Sequence, residues 1–272
     1  MKTSFEQKKI IGIVGGLGPF AHIEFEKRLL DAAVKIVSAK NDQSFPSWLL
    51  SSIPQTPDRT CAICGGGESP VSAIVQSLRN LDAHFDKHGN KISGADFAVM
   101  ICNTSYCFLS EVKEEINIPL LNIIDLTTEK ISMTYPGARV GILATSGTLQ
   151  SDIYHDSLKK YGLSPKSPLD LPNGPKIQNE MVMESIYGKW DGNEYLGGGI
   201  KSGNVEERFI ENFNYTAIKL IEAFDVEVFI AGCTEIPIAI PGSCIMDKVL
   251  LDPMTIAAEE AIKIAYGLVN DI

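Results

Sequence analysis

The sequence predicts an α/β fold made of two similar, doubly wound parallel-sheet domains. Short apolar runs alternate with amphipathic stretches, which is typical of a parallel sheet covered by helices. A strand-like segment also recurs, since Gly-Ile-Val at 12–14 is echoed by Gly-Ile-Leu at 141–143. Cys102 and Cys233 follow Gly12 and Gly141 by 90 and 92 residues, each after a further apolar run. Ligands of open α/β sheets bind at the carboxyl ends of strands, so facing domains would place both cysteines in one cleft.

The elements follow from the spacing of the apolar residues. Predicted strands are Ile10–Val14, Trp48–Leu50, Asp96–Ile101, Leu120–Ile124, Arg139–Leu143 and Glu227–Ile230. Predicted helices are Phe20–Val37, Val71–Phe85, Val205–Phe224 and a last one from Pro253 through Tyr266. The proline-rich stretch Ser164–Pro175 and the glycine-rich stretch Trp190–Gly203 are expected to be irregular. The predicted domains are 1–126 plus 239–272, and 127–238.

Composition excludes several classes of function. The 272 residues carry a net charge of −10, which argues against a nucleic-acid partner. No apolar segment reaches the roughly 18 residues that a membrane span requires, and Gly15 and Gly16 interrupt the first apolar run where a secretory signal would continue. Six cysteines in a chain that is 44% hydrophobic indicate reduced thiols in a cytoplasmic protein.

Three weaker signals are set aside. Gly16-x-Gly18-x-x-Ala21 matches a loose dinucleotide fingerprint, but Pro19 interrupts it and no acidic residue ends a second strand at the required distance. Cys61-x-x-Cys64 has no second pair of ligands nearby, so no metal site is expected. His84 and His88 are spaced to share a helix face, which we interpret as a solvated face.

Cys102 and Cys233 are the residues most indicative of chemistry. A cysteine is often only a small buried apolar residue, but polar residues directly after a buried strand suit a ligand better than they suit packing. The polar residues that follow these cysteines are Asn103, Thr104, Thr234 and Glu235. A thiolate and a thiol that flank one carbon can remove a proton from one face and return a proton to the other. The pair therefore indicates acid–base catalysis such as racemisation.

Four segments, in order along the chain, carry a family resemblance. They are Gly12-Ile-Val-Gly-Gly-Leu-Gly-Pro19, Pro54-Gln-Thr-Pro-Asp-Arg-Thr60, Cys102-Asn-Thr104 and Gly232-Cys-Thr-Glu235, supported by Leu143-Ala-Thr-Ser-Gly-Thr148 and Ile200-Lys-Ser-Gly203. Together they resemble the aspartate/glutamate racemase family, specifically its aspartate racemase branch. The resemblance implies two domains related by pseudo-twofold symmetry, an active site in the cleft between them, and commonly a homodimer. It also implies a two-thiol amino-acid racemase without pyridoxal, metal or other cofactor.

The resemblance further implies which residues bind substrate. Arg59 and Lys201 match positions that contact substrate carboxylates, and such a cationic pair suits an acidic amino acid. Each has another interpretation, since Arg59 could cap a helix and Lys201 could be a solvated loop residue. The positions that match polar residues around the α-carbon are Asn103, Thr104, Thr145, Thr148, Thr234 and Glu235.

Two departures from the family pattern bear on the substrate. Glutamate racemases carry an acid in the first glycine loop and a histidine after the second Cys-Thr, where this chain has Gly15-Gly16 and Glu235. These differences argue against the glutamate-specific branch. The first cysteine motif often continues with a small residue and histidine, whereas this chain has Ser105-Tyr106.

Two other functions are compatible with the sequence. One is a related enzyme that acts beside a carboxylate, such as a cis–trans isomerase or a decarboxylase. The other is a non-catalytic protein that binds acidic ligands on the same scaffold. The presence of both cysteines favours catalysis, because binding alone does not require a thiol.

Overall fold

The computed structural model describes residues 6–191 and 194–269. Its strands are β1 (Ile11–Gly15), β2 (Trp48–Ser52), β3 (His84–Phe85), β4 (Lys91–Ser93), β5 (Phe97–Met100), β6 (Leu120–Leu121), β7 (Arg139–Leu143), β8 (Ser164–Lys166), β9 (Gly188–Trp190), β10 (Tyr195–Gly198), β11 (Val228–Ala231), β12 (Cys244–Ile245) and β13 (Lys248–Leu251). Its α-helices are α1 (Pro19–Val37), α2 (Arg59–Cys64), α3 (Val71–Arg79), α4 (Leu109–Glu114), α5 (Ile123–Thr134), α6 (Ser146–Gln150), α7 (Ile153–Lys160), α8 (Gly174–Ile177), α9 (Glu184–Tyr187), α10 (Glu207–Phe224), α11 (Ile236–Ala239) and α12 (Pro253–Ala265). Asn103–Phe108 and Ile200–Ser202 form 3-10 turns, and Gln178–Met183 is a π-helix.

The chain forms two compact units. Unit 1 comprises residues 1–57, 69–123 and 254–272, and unit 2 comprises residues 58–68 and 124–253. Residues 58–68 and 239–253 thus belong to unit 2, whereas the domain limits expected from the sequence place both segments in the first domain; those limits stay a prediction. No helix of the described residues is long and apolar enough to cross a membrane.

Each unit contains a parallel sheet. Unit 1 has the strand order β2-β1-β5-β6, and every pair in it is parallel. Unit 2 has the order β12-β13-β11-β7-β8, in which only the pairing of the edge strand β12 with β13 is antiparallel. Parallel strands need crossover connections, which the helices between them supply. The predicted α/β class is therefore confirmed.

The two sheets have the same topology. When β1 is matched with β7, the strands β2, β5 and β6 correspond to β8, β11 and β13, and the order is then the same in both sheets. The repeated segments at 12–14 and 141–143 occupy corresponding strands, β1 and β7. The sequence echo thus reflects two matched modules, as predicted.

The strands and the longest helices form where the apolar spacing predicts them. The side chains of β1, β5 and β11 are buried along their whole length, as expected for strands covered on both faces. Helix α1 begins with Pro19, whose fixed φ suits the first turn. Helix α10 buries Phe209, Phe213 and Leu220 on one face, and these residues form the core of unit 2 with the apolar residues of β7 and β11.

One predicted helix is too long. Helix α3 ends at Arg79, and residues 84–93 form a β3–β4 hairpin instead of a fourth helical turn. The carboxylate of Asp86 accepts hydrogen bonds from the backbone N–H groups of His88 and Asn90, which fixes the hairpin turn. His84 and His88 therefore do not share a helix face, so the helical part of that interpretation was wrong, whereas both residues are exposed as expected. The signal for the turn was Asp86 followed by Gly89, whose φ of 83° favours glycine.

Other predicted boundaries also differ. The strand expected at Leu120–Ile124 stops at Leu121, because Ile123 already begins α5. The stretches expected to be irregular contain β8, α8, β9 and β10. Local propensity is weak in these segments, and pairing with a neighbouring strand decides their conformation: Pro165, for instance, lies in β8 opposite Val140 of β7.

Candidate functional site

Cys102 lies in unit 1 directly beyond the carboxyl end of β5. It is 6% exposed and precedes the 3-10 turn Asn103–Phe108. Asn103 and Thr104 are also buried. The turn is closed by Ser105, whose hydroxyl donates to the backbone carbonyl of Cys102 over 2.7 Å. A buried thiol followed by two buried polar side chains therefore occupies the edge of the sheet at which α/β proteins bind ligands.

Tyr106 connects two strands of unit 1. Its hydroxyl accepts a hydrogen bond from the backbone N–H of Met100 over 3.2 Å and donates to the carbonyl of Leu121 over 2.8 Å. Burial raises the pKa of this hydroxyl far above its ordinary value, so it stays neutral. Ser105-Tyr106, the departure from the family motif, thus closes the turn and links β5 to β6 in this protein.

Cys233 has the corresponding place in unit 2, beyond the carboxyl end of β11. It is 5% exposed and follows Gly232. A Cβ at Gly232 would lie 2.9 Å from the Cβ of Ala144 and 3.1 Å from the carbonyl oxygen of Leu143. Glycine is therefore required for the chain after β11 to pass this close to the chain after β7.

Glu235 accepts two hydrogen bonds from the residues that precede it. The Cys233 thiol and the Thr234 hydroxyl each donate to its Oε2 atom over 2.9 Å. Burial and then the negative charge of Glu235 raise the pKa of Cys233 well above its ordinary value, although the nearby charge of Lys201 lowers it. Cys233 is consequently a thiol, not a thiolate, in this arrangement.

Lys201 forms a buried ion pair with Glu235. Its Nζ atom lies 3.2 Å from the Glu235 Oε1 atom, and the two side chains are 19% and 3% exposed. Burial is the largest influence on each pKa and opposes the charge. For Lys201, the charge of Glu235 and the neighbouring Tyr187 together outweigh it and raise the pKa. For Glu235, the charge of Lys201 and the hydrogen bonds from Cys233 and Thr234 together outweigh it and lower the pKa. Both groups are therefore charged. Lys201 is a partly buried member of the site and not the solvated loop residue considered as the alternative.

Arg59 is the first residue of α2, and its side chain is 7% exposed. The helix is capped by Asp58, whose carboxylate accepts a hydrogen bond from the backbone N–H of Cys61 over 2.8 Å. Burial raises the pKa of Asp58, but this hydrogen bond and the charges of Arg59 and Lys201 lower it overall. The helix cap is thus Asp58, and the Arg59 guanidinium lies within electrostatic range of Lys201.

Asp58 and Tyr187 interact with the charged residues Arg59 and Lys201 but were not predicted from the sequence. The Tyr187 hydroxyl lies 3.1 Å from the Asp58 Oδ2 atom and 3.3 Å from the Thr60 Oγ1 atom, and the Lys201 Nζ atom lies 5.2 Å from the centre of its ring. Asp58 is part of the motif that contains Arg59, so its capping position was a usable signal. Tyr187 has no such motif and is found only through its contacts.

Thr145 and Thr148 lie at the start of α6, beyond the carboxyl end of β7. Thr145 is the N-cap, and its Oγ1 atom accepts a hydrogen bond from the backbone N–H of Thr148. The two hydroxyls are 3.1 Å apart, and both side chains are buried. Both threonines therefore stabilise the helix N-terminus that follows this strand.

Unit 2 thus brings together most of the residues predicted for the site. We call seven residues of this unit the charged group. It contains two cations, two carboxylates and the buried thiol of Cys233, so its formal charges balance. Its members are Asp58, Arg59, Tyr187, Lys201, Cys233, Thr234 and Glu235. Cys102, Asn103 and Thr104 lie in unit 1. Within the part of the chain that the structure describes, no cluster of three or more His, Cys, Asp or Glu side chains is arranged to hold a metal ion.

Residues 27–261 match the model of the Asp/Glu/Hydantoin racemase family. The chain belongs to this family. The match covers both cysteine motifs, Arg59 and Lys201. The family predicted from the sequence is therefore confirmed.

Known proteins similar to this family member include racemases. A stretch of 156 residues is 29% identical to the broad specificity amino-acid racemase RacX of Bacillus subtilis, covering 56% of this chain and 62% of that protein. The structure of the Picrophilus torridus aspartate racemase is 25% identical and superposes with a TM-score of 0.69, covering 95% of this chain and 94% of that one. Glutamate racemase from Francisella tularensis in complex with D-glutamate shares the fold, with 16% identity, a TM-score of 0.58 and coverage of 97% and 84%.

Proposed function

We propose that this protein is a cofactor-independent racemase that interconverts the L- and D-enantiomers of an amino acid, with Cys102 and Cys233 as its acid and base. The observation that carries the proposal is the equivalence of the two cysteines. Each is buried, and each follows the corresponding strand of one of two sheets with the same topology, β5 or β11. Racemisation has two equivalent half-reactions on opposite faces of one carbon, so a duplicated thiol suits it.

In the proposed reaction, one cysteine thiolate takes the α-proton and becomes a thiol. The other thiol then donates its proton to the opposite face of the carbanion and becomes a thiolate, so protons and charge balance. Because burial and the carboxylate of Glu235 keep Cys233 protonated, Cys233 is ready to donate when Cys102 acts as the base. In the reverse direction Cys233 must first lose its proton, which the charge of Lys201 favours because it lowers the pKa of this thiol.

We further propose that the substrate is an amino acid whose carboxylates are bound by Arg59 and Lys201. Arg59 is buried and the Lys201 side chain is only 19% exposed, and a charge-assisted hydrogen bond to a carboxylate is strong when solvent is largely excluded. The polar residues proposed to surround the α-carbon are Asn103, Thr104, Thr145, Thr148, Thr234 and Glu235. The names of the similar proteins, which include an aspartate racemase and a broad specificity racemase, support an amino acid as substrate, with an acidic one expected first.

Isotope exchange in deuterated water tests the proposal. Given an L-amino acid such as L-aspartate, the wild-type enzyme should at first form D-product that carries deuterium, while the remaining L-substrate stays largely protonated. A cysteine that has just taken the α-proton can return it to the same face, whereas the opposite cysteine has exchanged with the solvent and donates a deuteron. Chiral chromatography with mass detection follows both enantiomers.

Three cysteine-to-serine variants complete the experiment. Cys102→Ser and Cys233→Ser should each abolish racemisation, because a serine hydroxyl is a far weaker acid than a thiol. Cys244→Ser is the matched control: Cys244 is exposed in β12, and its replacement should leave turnover unchanged. Early D-product that retains the original proton would mean that one group serves both faces, and the two-thiol proposal would be wrong.

A further inference from the structure

A surface pocket of unit 2 lies beside the charged group and differs from it in chemistry. Its volume is about 340 Å³. The residues that line it include Met183, the aromatic residues Trp190 and Tyr195, and the cysteines Cys61 and Cys64. Among the described residues, none that lines the pocket carries a charge. Pockets of this size with apolar and aromatic walls are typical small-molecule sites.

The aromatic wall of the pocket, formed by Trp190 and Tyr195, belongs to a hairpin that begins and ends next to members of the charged group. The β9–β10 hairpin leaves Tyr187 and returns to Lys201 through Ile200. The Tyr195 ring stacks on Tyr187 with centroids 5.0 Å apart, and the Trp190 ring lies 4.8 Å from that of Tyr195. Gly188 has a φ of 96°, and a Cβ there would clash with the carbonyl oxygen of Gly197. The close approach of these two glycines fixes the hairpin, and so fixes the wall.

Helix α2 connects the opposite wall to the same group. Arg59 begins the helix, Thr60 lines the pocket, and Cys61 and Cys64 follow on later positions of the same helix. The Thr60 Oγ1 atom also lies 3.3 Å from the Tyr187 hydroxyl. Tyr187 and α2 are therefore shared by the charged group on one side and the pocket on the other. A ligand in the pocket would contact the elements that hold Arg59 and Lys201.

The lining defines the ligand chemistry. Aromatic rings bind other rings by offset or edge-to-face contacts, and a thioether makes favourable contacts with ring edges. Gln150 and Asn179 also line the pocket, and their side-chain amides carry hydrogen-bond donors and acceptors without charge. We propose that this pocket binds an uncharged aromatic group. The group is either the side chain of an amino-acid substrate, which rests on the proposed function, or a separate small aromatic molecule.

The two pocket thiols allow a direct test by alkylation. Full-length protein is treated with N-ethylmaleimide, and the labelling rate of each cysteine is measured by peptide mass spectrometry. The ring is presented either as L-phenylalanine or as benzyl alcohol. At ten times its dissociation constant, a bound probe should slow labelling of Cys61 and Cys64 by about tenfold. Cys244, exposed in β12 outside the pocket, should label at an unchanged rate. No protection of the pocket thiols by either probe would overturn the proposal.

Comparison of L-phenylalanine with benzyl alcohol shows whether the bound aromatic group is a substrate side chain or a separate molecule. Protection by phenylalanine alone, lost in Arg59→Ala, together with racemisation of phenylalanine, assigns the pocket to the substrate side chain. Protection by both probes with similar affinity assigns it to a separate molecule. Racemisation of aspartate is measured in parallel. If the protein racemises aspartate but neither probe protects Cys61 and Cys64, the pocket proposal is wrong while the proposed function stands.

A filled pocket provides the matched control. Cys64→Phe places a ring in the pocket and should abolish protection of Cys61, whereas Cys244→Phe makes the same substitution elsewhere and should preserve it. Full protection of Cys61 in Cys64→Phe would mean that the probes act from another site, and the proposal would be wrong.

Discussion

The buried pair Lys201–Glu235 should be strongly coupled in the folding of unit 2. The separation of 3.2 Å between Nζ and Oε1 corresponds to a Coulomb attraction of about 5 kcal/mol at an effective dielectric constant of about 20. The cost of burying both charges offsets much of that attraction. Removing one partner, however, leaves the other charge buried without compensation, which costs about 3–5 kcal/mol. Lys201→Met and Glu235→Gln should therefore each destabilise the protein by amounts in this range.

A double-mutant cycle measures the coupling. The variant with both substitutions has no buried charge at this pair, so it should be more stable than the sum of the single effects predicts, by about 2–3 kcal/mol. The free energy of unfolding is obtained from urea denaturation of the wild type and the three variants. Because Glu235 also accepts a hydrogen bond from the Cys233 thiol, the glutamine, which keeps the shape and one acceptor, is the appropriate replacement.

An exposed pair provides the control for this cycle. Lys219 and Glu222 on α10 are closer together, with 2.7 Å between Nζ and Oε2, but their side chains are 39% and 59% exposed. Solvent screens such a pair, so Lys219→Met combined with Glu222→Gln should show no measurable coupling. A coupling energy within about 0.5 kcal/mol of zero for Lys201 and Glu235 would refute the argument that burial makes this pair strong.

Three further outcomes are expected. Glu235→Gln should shift the alkylation of Cys233 to lower pH, because the carboxylate raises the pKa of this thiol and its removal lets the thiolate form earlier; peptide-resolved labelling across pH checks this, and an unshifted or upward-shifted curve contradicts it. Arg59→Ala should reduce turnover of dicarboxylic amino acids more than of neutral ones, because a carboxylate loses its cation; equal losses on aspartate and alanine would make Arg59 structural. Tyr106→Phe should lower the free energy of unfolding by about 1–3 kcal/mol, because the buried carbonyl of Leu121 and the N–H of Met100 lose their partner. Urea denaturation measures this free energy, and an unchanged stability would show that the link between β5 and β6 is dispensable.

Much of the fold could be predicted from local patterns. The strands β1, β5, β7 and β11 are short apolar runs, and α1 and α10 have apolar residues at helical spacing. These signals lie within about twenty consecutive residues, so each element is recognisable without its neighbours. The repeat of Gly12 and Cys102 in Gly141 and Cys233 also indicated two modules with the same topology.

Weakly patterned segments were predicted less well. The helix expected to run from Val71 to Phe85 ends at Arg79, and the Asp86 turn and strand pairing place His84 and Phe85 in a hairpin. Tertiary contacts override propensity where the local preference amounts to only a few tenths of a kcal/mol per residue.

The sequence by itself determined which residues are candidates for chemistry: two cysteines at the ends of matching strands, with Arg59 and Lys201 in recognisable motifs. The tertiary structure decided the state of those groups. The charge of Lys201 is balanced by that of Glu235, and Cys233 is kept protonated by burial and by the same carboxylate. Tyr187 hydrogen-bonds to Asp58 although 129 residues separate them along the chain. Packing brings together partners that are this distant in sequence. Burial then shifts their pKa values, because the free energy of a charged group depends on the solvent that folding removes.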